Sequence, residues 1–346
     1  MNVLITGAAG YIGTMLLERL AYSDTVDSIY AIDIKPKPAR CENLAKLRWI
    51  RANVAEDGWV AQLDDAVIEV VIHCAYQIRE WYGSRRKQQE VWNIDGARKV
   101  FEFALTSSSV RRVVHLSTVS GYGALPTNAI DRLLTEETEL GEDTYLYGVQ
   151  KKRVEDLLSH LFRRLRPPVH VVVLRLASVS GPRGRFGLNR YGLLSTIAGR
   201  FPFLVCGRMD WGRQYLHEDD LIDVLTMLVN APAAAGYEVF NVSPPDFLDA
   251  GCIGRLFNKR VVSLPPLLLR ALFALLWHGS RGAVATPAGA WRFLSYPIHV
   301  DGSRLRRTYG YEYRYSSLQA LTALEGRYAK PPRPSLQITV ESVGAP

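Results

Sequence analysis

Short apolar runs alternate along the chain with longer stretches in which apolar residues recur every three or four positions. That alternation predicts strands and helices in turn. Residues 2–5, 28–32, 47–51, 67–72, 112–116, 170–175 and 238–242 read as seven strands, several of them apolar without a break. Unbroken apolar strands suit a parallel sheet covered on both faces. Met15, Leu16, Leu17 and Leu20 carry helical spacing after the first run, and long helices are expected over 88–105 and 144–165. Strand–helix alternation of this kind implies an α/β fold, a doubly wound parallel sheet with right-handed crossovers.

The alternation loses its regularity after residue 177. A first domain over 1–177 is therefore expected, with later strands near 211–243 returning to it, and a smaller substrate-binding region over 178–328. From 329 to 346 the chain is proline-bearing and polar, which reads as a disordered tail. The longest apolar block, 264–277, is broken by Pro265, Pro266 and Arg270 and is too short to span a bilayer. A core helix is the expectation there. The competing reading is an interfacial helix with Leu267, Leu268, Leu272 and Leu275 on one face.

Composition changes this picture little. At 346 residues, with 48% hydrophobic and 22% charged positions, the chain suits a globular enzyme. The net charge of +8 comes from scattered Lys and Arg, without a nucleic-acid-binding signature, and implies some preference for anionic ligands. Cys41, Cys74, Cys206 and Cys252 are far apart with no CxxC pair, so reduced thiols and a cytoplasmic setting are expected. Met1 leads straight into the first strand, leaving no room for a signal peptide. No His/Cys/carboxylate group has metal-ligand spacing.

The chemistry begins at the first strand's end. Thr6-Gly7-Ala8-Ala9-Gly10-Tyr11-Ile12-Gly13 lies between a strand and a helix, the setting that gives such a glycine run meaning. Gly7 would make the tight turn, Gly10 would admit a pyrophosphate, and Gly13 would let the helix pack closely. The helix N-terminus favours the phosphate anion. Asp33 ends the second strand about twenty residues later, where a carboxylate meets an adenosine ribose. A second pattern, Tyr147-Gly148-Val149-Gln150-Lys151, puts a phenol and an ammonium at i and i+4 of one helix. A nearby ammonium is expected to lower the tyrosine pKa toward a value useful for proton transfer. Thr118, at the fifth strand's carboxyl end, sits where open α/β sheets bind ligands.

Together these residues resemble the extended short-chain dehydrogenases/reductases, the NAD-dependent epimerase/dehydratase group. The likeness rests on the glycine run at 6–13, Asp33, His73-Cys74-Ala75, Asn93-Ile94-Asp95-Gly96, the 116–123 segment with Thr118, and Tyr147 with Lys151. It continues through Arg175 to Pro182 and through Tyr215 to Asp220. The resemblance implies a Rossmann-like fold and an NAD site lined by Gly7, Gly10, Tyr11, Ile12, Gly13, Asp33, Ile34, Asn53, Val54, Cys74, Ala75, Tyr76, Asn93, Tyr147 and Lys151. Asp33 favours NAD over NADP, although Lys35, Lys37 and Arg40 soften the preference. The resemblance also implies that Tyr147 exchanges a proton with substrate, that Thr118 holds the same oxygen, and that Lys151 binds the nicotinamide ribose and keeps Tyr147 partly ionised.

Departures narrow the group. Val119 and Ser120 stand where the 4,6-dehydratases carry an acidic pair, which argues against water elimination. Ser178 replaces the asparagine with which sugar-nucleotide epimerases help bind a diphosphate, whereas Arg213 matches a phosphate-binding arginine of those enzymes. His217 is expected to be structural. A 4-epimerase acting on a nucleotide sugar is the favoured expectation, with Ser178 and Arg213 at the substrate. The alternatives are a 3β-hydroxysteroid-dehydrogenase-like oxidoreductase for an apolar alcohol, suggested by the 264–277 block, and a non-catalytic dinucleotide sensor. Relatives often form homodimers through the two long helices.

Overall fold

The computed structural model describes residues 1–63, 66–184 and 203–328. The strands, in chain order, are β1 (Asn2–Thr6), β2 (Ser28–Asp33), β3 (Leu47–Arg51), β4 (Val70–His73), β5 (Arg112–Thr118), β6 (His170–Leu176), β7 (Ser178–Ser180), β8 (Phe203–Cys206), β9 (Gly212–Arg213), β10 (Tyr215–His217), β11 (Gly236–Val242), β12 (Leu248–Asp249) and β13 (Arg260–Ser263). The helices are α1 (Tyr11–Leu20), α2 (Arg85–Glu90), α3 (Gly96–Thr106), α4 (Leu146–Leu165), α5 (Glu218–Asn230), α6 (Ala250–Leu256), α7 (Pro266–Gly279), α8 (Ser303–Tyr309) and α9 (Ser317–Thr322).

Seven strands form one sheet in the order β11-β6-β5-β4-β1-β2-β3, and every neighbouring pair is parallel. The seven expected strands are these seven, so the α/β reading holds. Strand order reverses between β1 and β4, which opens a crevice at their carboxyl ends. Apolar side chains leave the sheet on both sides. Val3, Ile5, Val114 and Leu174 face α1 and α5, while Leu4, Val71, Val113 and Val171 face α3 and α4. Parallel strands buried on both faces require apolar residues at successive positions, which is why β5 and β6 are buried throughout.

Three expectations need correction. The fourth strand begins at Val70 rather than Val67, which is exposed on the way in. Of the segment 211–243 only β11 joins the sheet; β9 pairs with β12 and β10 with β7. The helix expected over 88–105 is α2 followed by a π-helical turn at Val91–Asp95 and then α3. The turn places Asn93 inward, where its amide bonds the backbone of Gln77 twice and the side chain of Gln150. Wide turns of this type recur at functional sites.

Beyond the sheet, Leu204, Trp211, Leu248, Ile253, Leu269 and Phe273 share a separate apolar cluster that holds β8, α6 and α7 together. The block 264–277 is thus only half a core helix. Leu269, Phe273 and Trp277 face inward, and Leu267, Leu268 and Leu275 face outward. No described helix is long and apolar enough to cross a membrane. The tail expectation for 329–346 lies outside the described residues.

Candidate active site

Backbone geometry at the end of β1 explains the glycines one by one. Gly7 has φ of 69°, and a Cβ there would sit 2.5 Å from the backbone nitrogen of Ala75 at the end of β4. A Cβ on Gly13 would lie 2.3 Å from the Gly7 carbonyl oxygen, so α1 packs against the turn only with glycine at that place. Gly10 differs: its φ is −73° and its nearest contact would be 3.0 Å, again at the Gly7 oxygen. Gly10 is free of strain, and its missing side chain leaves the α1 N-terminus open to the cleft. No side chain caps that end of α1, so its first N–H groups are left for a ligand. Gly7, Gly10, Tyr11, Ile12 and Gly13 all line the cleft, which has a volume of about 1800 Å³.

Asp33 is held at the end of β2 by N–H donors from Ala9 and Lys35, both at 2.9 Å, one on each carboxylate oxygen. Each oxygen keeps a lone pair for a ribose hydroxyl. Cys74 and Tyr76 line the cleft wall after β4. Ala75 instead packs against the sheet core, with its N–H on the Thr6 hydroxyl at 3.4 Å. Ile34 is exposed beside Asp33. Asn53 accepts the Ala55 N–H and donates to Glu56, and Val54 is buried in the core under α3. The polar groups of buried Asn93 are occupied by Gln77 and Gln150. That bonding makes Asn93 a brace between the cleft loop and α4 instead of a group facing the cleft.

α4 brings Tyr147 and Lys151 to the cleft, and β5 ends opposite them at Thr118. The Thr118 hydroxyl is bonded to the Tyr147 phenol and accepts the Ser120 N–H at 3.2 Å. Lys151 is buried, and its Nζ donates to the Leu116 carbonyl at 2.6 Å and lies 3.9 Å from the Tyr76 ring centre. The expected fall in the tyrosine pKa does not occur in this arrangement. Burial raises the Tyr147 phenol above its ordinary value, and the Thr118 bond offsets that only in part. The ammonium points to Leu116, so helical spacing alone does not couple the pair.

Burial also drives the Lys151 ammonium down to about 7, with Cys74 and Glu155 opposing the shift. Between about 7 and its ordinary value the folded chain holds fewer protons at this site than the unfolded chain, so stability rises with pH across that window. The buried ammonium costs on the order of 4 kcal/mol at and below neutral pH, against about 1 kcal/mol for the hydrogen bond it makes. Lys151→Met should therefore melt above the parent protein at pH 7, with the difference shrinking as the pH approaches 10. Melting temperatures of both proteins across that range check it, and a variant that melts lower at pH 7 would contradict the buried-ammonium assignment.

Several supporting residues carry little signal in the sequence. Gln150, wholly buried, accepts from the Tyr76 hydroxyl at 3.2 Å and from Asn93 at 2.9 Å. It ties the loop after β4 to the helix that bears Tyr147. Glu142 accepts the N–H groups of Thr144 and Tyr145 at 2.9 and 2.8 Å, ordering the start of α4. Glu218 binds the Tyr11 hydroxyl and accepts the N–H groups of Arg183 and Gly184. The Tyr215 hydroxyl is buried in the cleft wall with no partner among the described residues.

On the far wall, Ser178 is exposed at the start of β7 and Arg213 ends β9; both line the cleft. Arg213 is buried. Its guanidinium donates to the carbonyls of Gly212, Tyr296 and Phe293 and lies over the rings of Trp211 and Phe293. Burial lowers its pKa to about 10. No described carboxylate pairs with it. His217 is fully buried, caps α5 by accepting the Asp219 N–H at 3.1 Å, and stacks on Tyr315. No metal-ligating cluster occurs among the described residues, and all four cysteines are unpaired thiols.

The sequence profile of the NAD dependent epimerase/dehydratase family matches residues 3–243. The chain belongs to that family. Among its relatives is an uncharacterised protein of Mycobacterium tuberculosis, 27% identical over 324 residues, covering 92% of this chain and 81% of the relative. Another is the N-acetyl-alpha-D-glucosaminyl-diphospho-ditrans,octacis-undecaprenol 4-epimerase of Escherichia coli O157:H7, 26% identical, covering 76% of this chain and 74% of the relative. The UDP-glucuronic acid 4-epimerase of Bacillus cereus, solved with a UDP-sugar analogue and NAD, superposes with a TM-score of 0.69 at 21% identity, covering 93% of this chain and 96% of that one. The UDP-glucose 4-epimerase of Thermotoga maritima gives the same TM-score at 18% identity and the same coverages. At such identities the likeness shows the fold. Family membership and fold together bear out the resemblance read from the motifs.

Proposed function

We propose that the protein is an NAD-dependent 4-epimerase that acts on a nucleotide sugar in the cleft between β5, α4 and β9. The observation that carries this reading is Arg213, a buried cation in the cleft wall without a described carboxylate partner. A buried charge of this kind is costly unless paired, and a diphosphate would supply the pair with bidentate geometry. The three epimerases named above carry a diphosphate-linked sugar in the names of their substrates or ligands.

The residues around the α1 N-terminus suit NAD. Gly7, Gly10, Tyr11, Ile12 and Gly13 would hold the pyrophosphate through backbone N–H groups. Asp33, with Ile34, Asn53 and Val54 nearby, would take the adenosine side, and Cys74, Ala75, Tyr76 and Lys151 the nicotinamide side. Asn93 enters the proposal as the brace behind them. NAD when bound supplies the nicotinamide that takes and returns hydride. The chain's own contribution is a positioned acid–base pair: Tyr147 takes the proton of the sugar hydroxyl, and Thr118 holds that oxygen. Ser178 would lie beside the substrate. Reduction of the rotated keto sugar on its other face returns the proton through Tyr147. The same reading places the protein in the cytoplasm as a homodimer through α3 and α4, with 178–328 contributing most of the substrate contacts.

A second reading, a 3β-hydroxysteroid-like alcohol, draws on the aromatic and apolar cleft residues Trp81, Leu256, Phe257 and Phe293. Thermal shifts with saturating NAD separate the two. UDP, dTDP or GDP at a hundred times its dissociation constant should add about 2.7 kcal/mol of stability. In Arg213→Met that nucleotide shift should fall away, with nucleotide affinity about 10- to 100-fold weaker, and the NAD shift should remain. A shift with a steroid and none with any nucleotide would overturn the sugar assignment.

A further inference from the structure

The outward face of α7 is apolar and has no covering element among the described residues. Leu267 is 73% exposed, Leu275 71% and Leu268 58%, with exposed Ala271 and Ala274 between them. Successive turns bring these positions onto one continuous face. A contiguous apolar face on a soluble surface marks an interaction site. Its buried side, through Leu269 and Phe273, anchors the helix to the cluster it shares with α6 and β8. The outward leucines are thus presented by a fixed element.

Charge distinguishes among the partners that could cover it. From residue 250 to residue 300 the chain contains no aspartate or glutamate, yet it carries Arg255, Lys259, Arg260, Arg270, Arg281 and Arg292. Arg292 is paired with Asp143. The other five form no ion pair with a described residue. Arg270 stands on the exposed face of α7 itself, Arg281 directly after its last turn, and Arg260 on β13 just before it. A second copy packed through α7 would set this all-cationic tract against itself, which like-charge repulsion opposes. A surface that is apolar below and anionic above meets both features at once.

We propose that the outward face of α7 is a docking surface for an anionic bilayer, lying in the headgroup layer with its leucines toward the acyl chains. Helices with this division of apolar and cationic groups bind that layer by buried apolar area and by attraction to acidic headgroups together. The last turn of α7 stands at the cleft. Trp277 packs edge-to-face on Tyr82, with ring centres 5.6 Å apart, and Tyr82, Arg281 and Gly282 line the cleft wall. Docking would hold at the headgroup layer the helix whose inward side contacts the cleft residue Tyr82. The inference stands on α7 and its charge tract, and no step of it depends on the substrate assigned above.

The test is vesicle co-sedimentation of the full chain, without nucleotide or substrate. Equimolar phosphatidylglycerol/phosphatidylcholine vesicles are compared with pure phosphatidylcholine, at low and at high salt. The protein should partition onto the anionic vesicles at least about tenfold better than onto the neutral ones, with the advantage lost in high salt. Leu267→Ser/Leu275→Ser should lower that partition about tenfold or more while leaving the melting temperature unchanged, because both side chains already face water. Arg260→Gln/Arg270→Gln should remove the preference for anionic lipid and retain the fold. Failure of the parent protein to bind vesicles overturns the proposal. So does leucine-variant binding equal to the parent's, and so does light scattering that shows a dimer which the leucine variant dissolves without any change in lipid binding.

Discussion

Replacing Tyr147 by Phe is expected to lower kcat by about a thousandfold or more while leaving the affinity for NAD nearly unchanged. The phenol is the acid–base group of α4 that meets Thr118 across the cleft, and a positioned proton-transfer group is worth roughly 10² to 10⁴ in rate. The fold has little stake in the hydroxyl, whose described bond is to Thr118. Isothermal titration with NAD and single-turnover rates on the same preparations check both halves. Retained turnover would remove Tyr147 from the chemistry. Because burial raises the phenol's pKa in the ligand-free enzyme, the rate of the parent protein should climb with pH until the phenolate forms.

Gly7→Ala should be strongly destabilising. Its Cβ would stand 2.5 Å from the Ala75 nitrogen and 2.6 Å from the Ala75 Cα, in a turn whose φ of 69° already disfavours a side chain. The left-handed conformation costs roughly 1 kcal/mol for a residue other than glycine. Separating β1 from the end of β4 adds backbone strain, so a loss above about 4 kcal/mol is expected. Gly10→Ala provides the contrast. Its backbone at φ −73° accepts alanine, so the fold should survive and NAD binding alone should fall. Chemical denaturation beside NAD titration distinguishes the two effects. Equal stability losses in both variants would show that the turn serves packing rather than a ligand.

Much of the fold was readable because its signals are local. The seven sheet strands announce themselves as apolar runs, since a parallel strand buried on both faces needs apolar residues at successive positions. The glycine turn after β1 was readable for the same reason: the conformation it needs is available to few other residues. Tyr147 and Lys151 were placed on one helix by spacing, and the family profile that matches residues 3–243 agrees with the motifs.

What spacing could not supply is which way a side chain turns and what meets it from a distant part of the chain. Lys151 sits four residues from Tyr147, yet its ammonium bonds the Leu116 carbonyl, 35 positions away. Asn93 reads as a cofactor residue, but a π-helical turn points it at Gln77 and Gln150. Arg213 stands out by its match to a family arginine, but only the fold surrounds it with the carbonyls of Phe293 and Tyr296 and no described carboxylate. The block at 264–277 has apolar residues on every side, and only its packing on β8 and α6 decides which leucines are left outside. By itself the sequence determined the seven strands of the sheet, the glycine turn and the family. The tertiary structure decided protonation, partners and exposed faces, because burial and charge pairing are properties of neighbours that the chain brings together only on folding.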